Sequence, residues 1–396
     1  MSFTRLDAVQ HEIHAHYAAL RAIRTRQALE RSVLWAEIGA EVMRVLEGVE
    51  RGDLAPLPTP PPATVAAPRG RRLRAVAWNV QRGARLDDLR RAVVAPPFSS
   101  ADVVLLSEVD VGLGRSGNRN VARELAEALG MSYAFGVSYL ALTDDFGDDA
   151  GGLENTLALS GAAILSRFPI GRVENVDLPA IRDKFHSSEK RLGKKRALLA
   201  EITLPDGPLA VAACHLDSNA SPAQRASQLG GILDSVDRSG VARALVGGDF
   251  NTSTYDLSST LALARDLLHK LFITGFRATV DNYLTPEKRY EQPVFDLLRA
   301  RNFAVDGFND RANGTYFYDL TDPYVLDRSQ RLVGRLLTRL LVRLLRPWNG
   351  CVPARLDWFA GRNVTPVSST VERPRAAADG RALSDHSAVI VDVALG

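Results

Sequence analysis

Six short polar motifs fall in order along the chain, each closing an apolar run. They are Trp78-Asn79-Val80-Gln81, Ser107-Glu108-Val109-Asp110, His215-Leu216-Asp217, Gly248-Asp249-Phe250-Asn251, Leu356-Asp357-Trp358 and Ser384-Asp385-His386. A buried strand that ends in a carboxylate, amide or imidazole delivers that group to a sheet edge. Six deliveries rich in Asp, Glu, Asn and His imply one polar pocket gathered from distant parts of the sequence. Such a pocket suits a divalent metal and a phosphate.

The motifs differ in strength. Asn79 can orient a carboxylate or touch a phosphate, and it is equally an ordinary turn residue. Glu108 follows Val103-Val104-Leu105-Leu106, and a carboxylate beside a buried strand needs a partner. Mg2+ would supply one, and so would a salt bridge to Arg82 or Arg115. In Gly247-Gly248-Asp249-Phe250-Asn251 the glycines permit a tight bend. Asp249 and Asn251, two apart, share a face if extended. A carboxylate beside an amide suits water activation and oxyanion support. Asp357 is a candidate partner for His386, since a carboxylate fixes an imidazole's tautomer and favours its cation. His215 is a second imidazole at a strand end.

These groups need a scaffold. Apolar runs predict strands at Leu73–Trp78, Val103–Leu106, Tyr133–Phe135, Gly161–Ser166, Ala197–Ile202, Leu209–Cys214, Ala242–Val246 and Val389–Ala394. Helices are expected at Leu86–Val94, Val121–Leu129 and Ala223–Val236. Many strands with irregularly interspersed helices indicate an α/β sandwich. Residues 1–52 read as an N-terminal helical segment, helical over 4–50, with His11, His14 and His16 close together. This segment is a candidate for self-association as a coiled coil. Residues 53–70 are proline-rich and read as a semi-rigid linker. A second unit, 71–396, follows.

Composition narrows the class. With 46% hydrophobic and 24% charged residues the chain is globular, and its net charge of +3 makes no whole-chain case for a nucleic-acid binder. Two cysteines, Cys214 and Cys351, argue against a disulfide framework and fit the cytoplasm as buried thiols. No secretory signal and no spanning apolar run of about 18 residues is seen.

In this order the six motifs resemble the endonuclease/exonuclease/phosphatase superfamily, the deoxyribonuclease I-like fold. The resemblance covers residues 72–394 and extends to Arg115–Asn120 and Ala163–Ile170. It implies a four-layer α-β-β-α sandwich with two mixed β-sheets. It also implies Mg2+-dependent hydrolysis of a phosphate ester, with Mn2+ as an alternative ion. Carried over by position, Glu108 would be the principal metal ligand, with Asn79 and Asp385 close by. Asp249 would align or deprotonate the attacking water, and Asn251 would hold a phosphate oxygen. His386, oriented by Asp357, would contact the scissile phosphate, and His215 would be a second histidine serving as general acid. One departure is Gln81, which stands where exonuclease III-like repair enzymes carry an acidic metal ligand. That argues against an abasic-site repair role.

The substrate is left open between nucleic acid and phospholipid or inositol phosphate. Between Tyr316 and Arg355 lies an insert whose arginines 331, 335, 339 and 343 recur every fourth residue among leucines and valines. An amphipathic helical insert near 325–350 is expected, with peripheral membrane contact through 328–346. The alternative function is a non-catalytic binding or membrane-associated scaffold module on the same fold.

Overall fold

The computed structural model describes residues 3–6, 9–54, 72–143, 152–187, 189–252, 265, 269, 273–288, 290–321, 325–327, 329–330, 334–376 and 378–395. Most of the proline-rich stretch, and residues 328 and 331–333 of the insert, lie outside them. The strands in chain order are β1 (Phe3–Leu6), β2 (Val49–Leu54), β3 (Arg72–Asn79), β4 (Val103–Val111), β5 (Ser132–Ala141), β6 (Leu159–Ser166), β7 (Ile170–Asp177) and β8 (Arg191–Gly193). They continue with β9 (Arg196–Leu204), β10 (Gly207–His215), β11 (Ala244–Asp249), β12 (Tyr316–Asp319), β13 (Cys351–Ala354), β14 (Asp357–Arg362), β15 (Val364–Glu372) and β16 (Ala388–Leu395). The helices are α1 (Tyr17–Ala22), α2 (Arg26–Glu30), α3 (Val33–Glu47), α4 (Leu86–Val93), α5 (Val121–Leu129), α6 (Pro222–Ser239), α7 (Phe276–Asp281), α8 (Gln292–Ala300) and α9 (Arg335–Leu344).

A nine-stranded sheet runs β1-β2-β5-β6-β4-β3-β16-β15, with β8 paired to β5. A second sheet runs β14-β11-β10-β9-β7. Both are mixed, because β3–β4 and β10–β11 are parallel and their other neighbours antiparallel. The continuous apolar runs explain this. β4 is buried on both faces at Val103, Val104, Leu105 and Leu106, as a covered parallel strand must be. Leu105, Ala77 and Val391 of the first sheet share a core with Leu198, Val211 and Phe359 of the second. On the far face of the first sheet lie α3, α4 and α5, through Val42, Leu89 and Leu125. On the far face of the second lie α6 and α8, through Leu229 and Phe295. Each fully buried large aliphatic contributes about 1.5–3 kcal/mol. The four-layer sandwich is therefore three apolar cores between helix, sheet, sheet and helix.

The N-terminal residues differ from one long helix set apart. Thr25 and Ser32 each accept a backbone N–H three residues on, from Ala28 and Trp35, and so start new helices. After Gly48 the chain is extended, and β2 pairs with β5 from Val49↔Gly136 to Gly52↔Tyr133. Asp53 and Leu54 thus belong to a strand rather than to a linker. The apolar face of α3, Ile38, Val42, Val45 and Leu46, is spent inside the same core as Tyr133 and Val137. Of the clustered histidines, His11 is already committed. His11 has both ring nitrogens engaged, one with the Leu157 carbonyl at 2.8 Å and one with the Ile13 N–H at 3.2 Å.

The insert forms the β12–β13 pair, with α9 between its strands. Leu345 and half-buried Leu341 of this segment pack with Val280, Leu320 and Val352 in a small separate core. Arg335, Arg339 and Arg343 are exposed, as the four-residue spacing predicts. Leu336 and Leu340 are exposed too, at 84% and 50%. No described helix is long and apolar enough to cross a membrane. Cys214 and Cys351 are free thiols, but Cys351 is half-buried rather than buried, because it opens the short insert strand β13.

Candidate active site

The two parallel pairs bring four motifs to one end of the sandwich. β3 ends at Asn79 and β10 at His215, which stands opposite Asp249 at the end of β11. β14 and β16 run the other way, so their beginnings lie at that end. Asp357 opens β14 directly across from Asp249, and His386 precedes β16 by two residues.

Glu108 is presented differently from a strand end. β4 continues to Val111, and its pairing with β6 shifts register between Leu106 and Val109. Glu108 sits in that bulge with φ +53°. Bulges of this kind re-aim a side chain, and a positive φ on a glutamate is a conformation the surroundings must hold. The two glycines before Asp249 also act otherwise than as a bend. A Cβ on Gly247 would lie 2.4 Å from the Phe359 ring, and one on Gly248, at φ +133°, would lie 2.2 Å from the Cys214 carbonyl oxygen. They allow β11 to pass close to its neighbours.

Asp249 is the hub. Its Oδ1 accepts the Asn251 backbone N–H at 2.8 Å, and its Oδ2 accepts from the Asn79 amide at 3.2 Å. That same Oδ2 stands 3.5 Å from His215 Nε2 and 3.8 Å from His386 Nε2. His386 Nδ1 bonds Asp357 Oδ2 at 2.8 Å. The Asp357 and Leu356 backbone N–H groups donate to Thr315 Oγ1, each at 3.0 Å, and Ser387 N–H donates to the Thr315 carbonyl. Thr315 thereby ties the dyad to the root of the insert. Tyr316 lies against the His386 ring, centroids 5.1 Å apart. Glu108 Oε1 stands 3.9 Å from His215 Nε2, and Oε2 stands 3.9 Å from Arg82.

Electrostatics separates the two histidines. Burial and the Lys195 charge push His215 down to about 4, so it is neutral at pH 7. Burial also works against the His386 cation, but Asp357 and Asp249 outweigh it and hold its pKa well above the ordinary value. Asp249 is raised by burial, with repulsion from Asp357 adding to it. Glu108 lies well below the usual carboxylate range. Its burial is outweighed by His215 when that ring is protonated and by the standing charges of Arg82 and Lys195. The centre thus holds a deeply acidic Glu108, a proton-accepting Asp249, an imidazolium at His386 and a neutral His215.

Asn79, Glu108, His215, Asp249, Asp357 and His386 converge through these contacts. Asp385 adjoins them, with its backbone N–H on Gln81 Oε1 at 3.0 Å. Asp385 keeps solvent-exposed surface at the rim, and its pKa is raised by the protein crowded around the carboxyl and by repulsion from Glu108 and Asp249. Asn251 is held apart from simple strand alternation. At φ +50° it turns back, and its amide donates to the Leu216 carbonyl at 2.9 Å. Of the salt-bridge partners anticipated for Glu108, Arg115 goes elsewhere, to Asp110 and Glu189 at 2.6 Å each.

Two kinds of residue escaped the sequence. Thr315 and Tyr316 reach the centre only because the insert folds against it. Lys195 lacks any motif, although the run Lys194-Lys195-Arg196 before β9 was a visible cue. Burial lowers the Lys195 pKa to about 8 while Glu108 and Asp217 pull it up.

The donors fit a hard divalent cation. Glu108 and Asp385 offer carboxylate oxygens whose mutual repulsion a cation would relieve, and Asn79 Oδ1 keeps a lone pair after accepting from Gln81 N–H at 3.0 Å. A second set, Asp249, Asp357 and His386, places ligand atoms within 4.8 Å of one another. In that set His386 Nδ1 is already committed to Asp357.

Two mixed sheets between helical layers, with carboxylates, amides and histidines gathered at one edge, define an α-β-β-α sandwich with a polar centre. The sequence profile of the Endonuclease/Exonuclease/phosphatase family matches residues 76–386, and the chain belongs to that family. Among solved structures it is similar to an endonuclease/exonuclease/phosphatase from Beutenbergia cavernae DSM 12333, at 20% identity over 82% of this chain and 72% of that one, TM-score 0.47. It is also similar to humanized D. rerio TDP2 (14% identity, 81% and 98% covered, TM-score 0.44) and to the human Nocturnin catalytic domain (14%, 82% and 94%, TM-score 0.43). No curated protein matches the sequence.

Proposed function

We propose that the chain is a Mg2+-dependent phosphoric ester hydrolase, with Mn2+ able to replace Mg2+. The observation that carries this reading is the chain Asp357–His386–Asp249, with Asn79 and His215 on the same Asp249 oxygen as His386 and Glu108 3.9 Å from His215. Glu108, Asp385 and Asn79 would hold the ion, which supplies charge neutralisation at the phosphate when bound. Asp249, with a raised pKa and its amide partner Asn79, is positioned to take a proton from an attacking water. His386, kept cationic by Asp357, faces the centre with Nε2 and stabilises negative charge developing on the phosphoryl oxygens. His215 is uncharged at neutral pH, so it serves as a hydrogen-bonding group rather than as a resting acid. The Asn251 amide, now on the Leu216 carbonyl, would be available to a phosphate oxygen after release from that contact. Hydrolysis of bis-p-nitrophenyl phosphate in Mg2+, abolished by chelator and restored by Mn2+, is the expected result. No hydrolysis of any phosphodiester with either ion would overturn the reading.

A second feature bears on where the substrate is met. Leu336 and Leu340 are exposed beside Arg335, Arg339 and Arg343 on α9. Apolar groups flanked by cations suit an anionic membrane interface. Co-sedimentation with phosphatidylserine vesicles, lost when the three arginines become glutamates, is expected. Equal sedimentation of both proteins would remove the membrane contact.

A further inference from the structure

Beside the centre lies a half-open cavity of about 280 Å3, sharing Glu108 and His215 with it. Its other lining is unusual in charge. Six cations, Arg82, Arg115, Lys184, Arg191, Lys195 and Arg196, face three carboxylates, Glu108, Glu189 and Asp217, and two more just outside the lining, Asp110 and Asp177, pair with Arg115 and Arg196, which leaves one positive charge in excess. Some of the cations are committed. Arg115 and Arg191 pair with Glu189, Arg196 pairs with Asp177 at 2.7 Å, and Arg82 stands 3.6 Å from Glu189. Lys184 and Lys195, both half-buried, make no side-chain hydrogen bond or ion pair among the described residues. Glu108, Asp217 and Asp249 act on Lys195 through space, but neither lysine is tied to a direct partner, so both ammonium groups can turn to an anion entering the cavity.

We infer that this cavity is a second anion subsite, in which Lys184 and Lys195 take a non-scissile phosphate while the Asp249–His386 centre takes the scissile one. The inference deepens, and rests on, the phosphoesterase reading. It narrows the substrate to a phosphate ester bearing a further phosphate close by. A choline phospholipid is disfavoured, because its quaternary ammonium would meet the cavity's positive charge, and the one aromatic among the described lining residues, Tyr139, is already covered by Arg191. The committed arginines give the cavity a rigid wall. The lysines supply the mobile donors.

Isothermal titration calorimetry of the full chain in Mg2+ buffer tests this with thymidine 3′,5′-bisphosphate, thymidine 3′-phosphate and phosphocholine. The bisphosphate should bind at least about tenfold more tightly than the monophosphate. That advantage should vanish in Lys184→Ala/Lys195→Ala, with the fold checked by circular dichroism. If the double variant does not fold, Lys184→Gln alone should reduce the advantage in the same direction. Equal affinity for bisphosphate and monophosphate overturns the subsite, as does an advantage that survives the variants or phosphocholine binding as tightly as the bisphosphate. Inositol 1,4-bisphosphate separates the sources of the second phosphate. A gain matching the nucleotide's supports the subsite and points to inositol phosphates, and a smaller gain supports it and points to a polynucleotide. A protein that hydrolyses no phosphodiester yet keeps the bisphosphate advantage loses the enzyme reading and retains the subsite.

Discussion

The His386 imidazole does two jobs that pull in opposite directions. It is buried, which disfavours its cation, yet its proposed role needs the cation. Asp357 settles the conflict at 2.8 Å, with Asp249 adding a second negative charge nearby. The sign of the pH dependence follows. A histidine with a raised pKa stays protonated through neutrality and is lost only as pH climbs through that raised value. Asp249, raised by burial, must be ionised, so activity also falls on the acid side. Asp357→Asn removes the stabilising charge. It should move the alkaline limb of the kcat/KM profile toward the ordinary imidazole value of about 6.5 and reduce kcat by about 10²-fold or more. An unmoved limb would show that Asp357 does not tune His386. At this scale the sequence was informative about identity and weaker about geometry. Asp249, Asp357 and His386 could be matched as a set because their chemistry is local to short motifs. The turned-back Asn251 could not, since its φ of +50° depends on the Leu216 carbonyl across the site. The lowered pKa of His215 comes first from burial and then from Lys195, a residue with no motif of its own.

Elements decide how closely those side chains approach. The parallel register His215↔Asp249 and the antiparallel register Asp249↔Asp357 place three motifs across three adjacent strands. That alignment needs β11 to run almost without side chains at its end. Gly248→Ala would press a Cβ to 2.2 Å from the Cys214 carbonyl at a backbone angle that L-residues resist. The expected outcome is a destabilisation of about 2 kcal/mol or more and a loss of activity together, read by chemical denaturation and assay. A fully stable Gly248→Ala protein would contradict this packing. Buried apolar strands such as Val103–Leu106 were legible because runs of this kind have few other uses. The bulge at Glu108 was not, because a one-residue register shift leaves no trace in an apolar pattern. The breaks between α1, α2 and α3 were marked by Thr25 and Ser32, whose capping role the helical composition around them obscured.

At the scale of the molecule, the N-terminal segment is part of the sandwich. β2 completes the edge beside β5, and Val42, Val45 and Leu46 cover the first sheet. Deleting residues 1–54 should uncover that edge and its apolar face, giving an insoluble protein or one without a cooperative unfolding transition. A truncated chain unfolding at the full-length midpoint would show that the segment is dispensable. The sequence concealed this role because pairing between β2 and β5 joins residues separated by the intervening strands β3 and β4. The insert is the second whole-molecule feature. Its strand β12 opens with Tyr316 against His386, and Thr315 just before it holds the Asp357 backbone, so the insert is anchored at the centre. The most direct measurement is the Mg2+-dependent rate of bis-p-nitrophenyl phosphate hydrolysis by the full chain and by Asp249→Ala, prepared side by side. The wild-type rate should fall by about 10³-fold or more in the variant, with folding unchanged. Equal rates in the two proteins, or no rate in either, would contradict it.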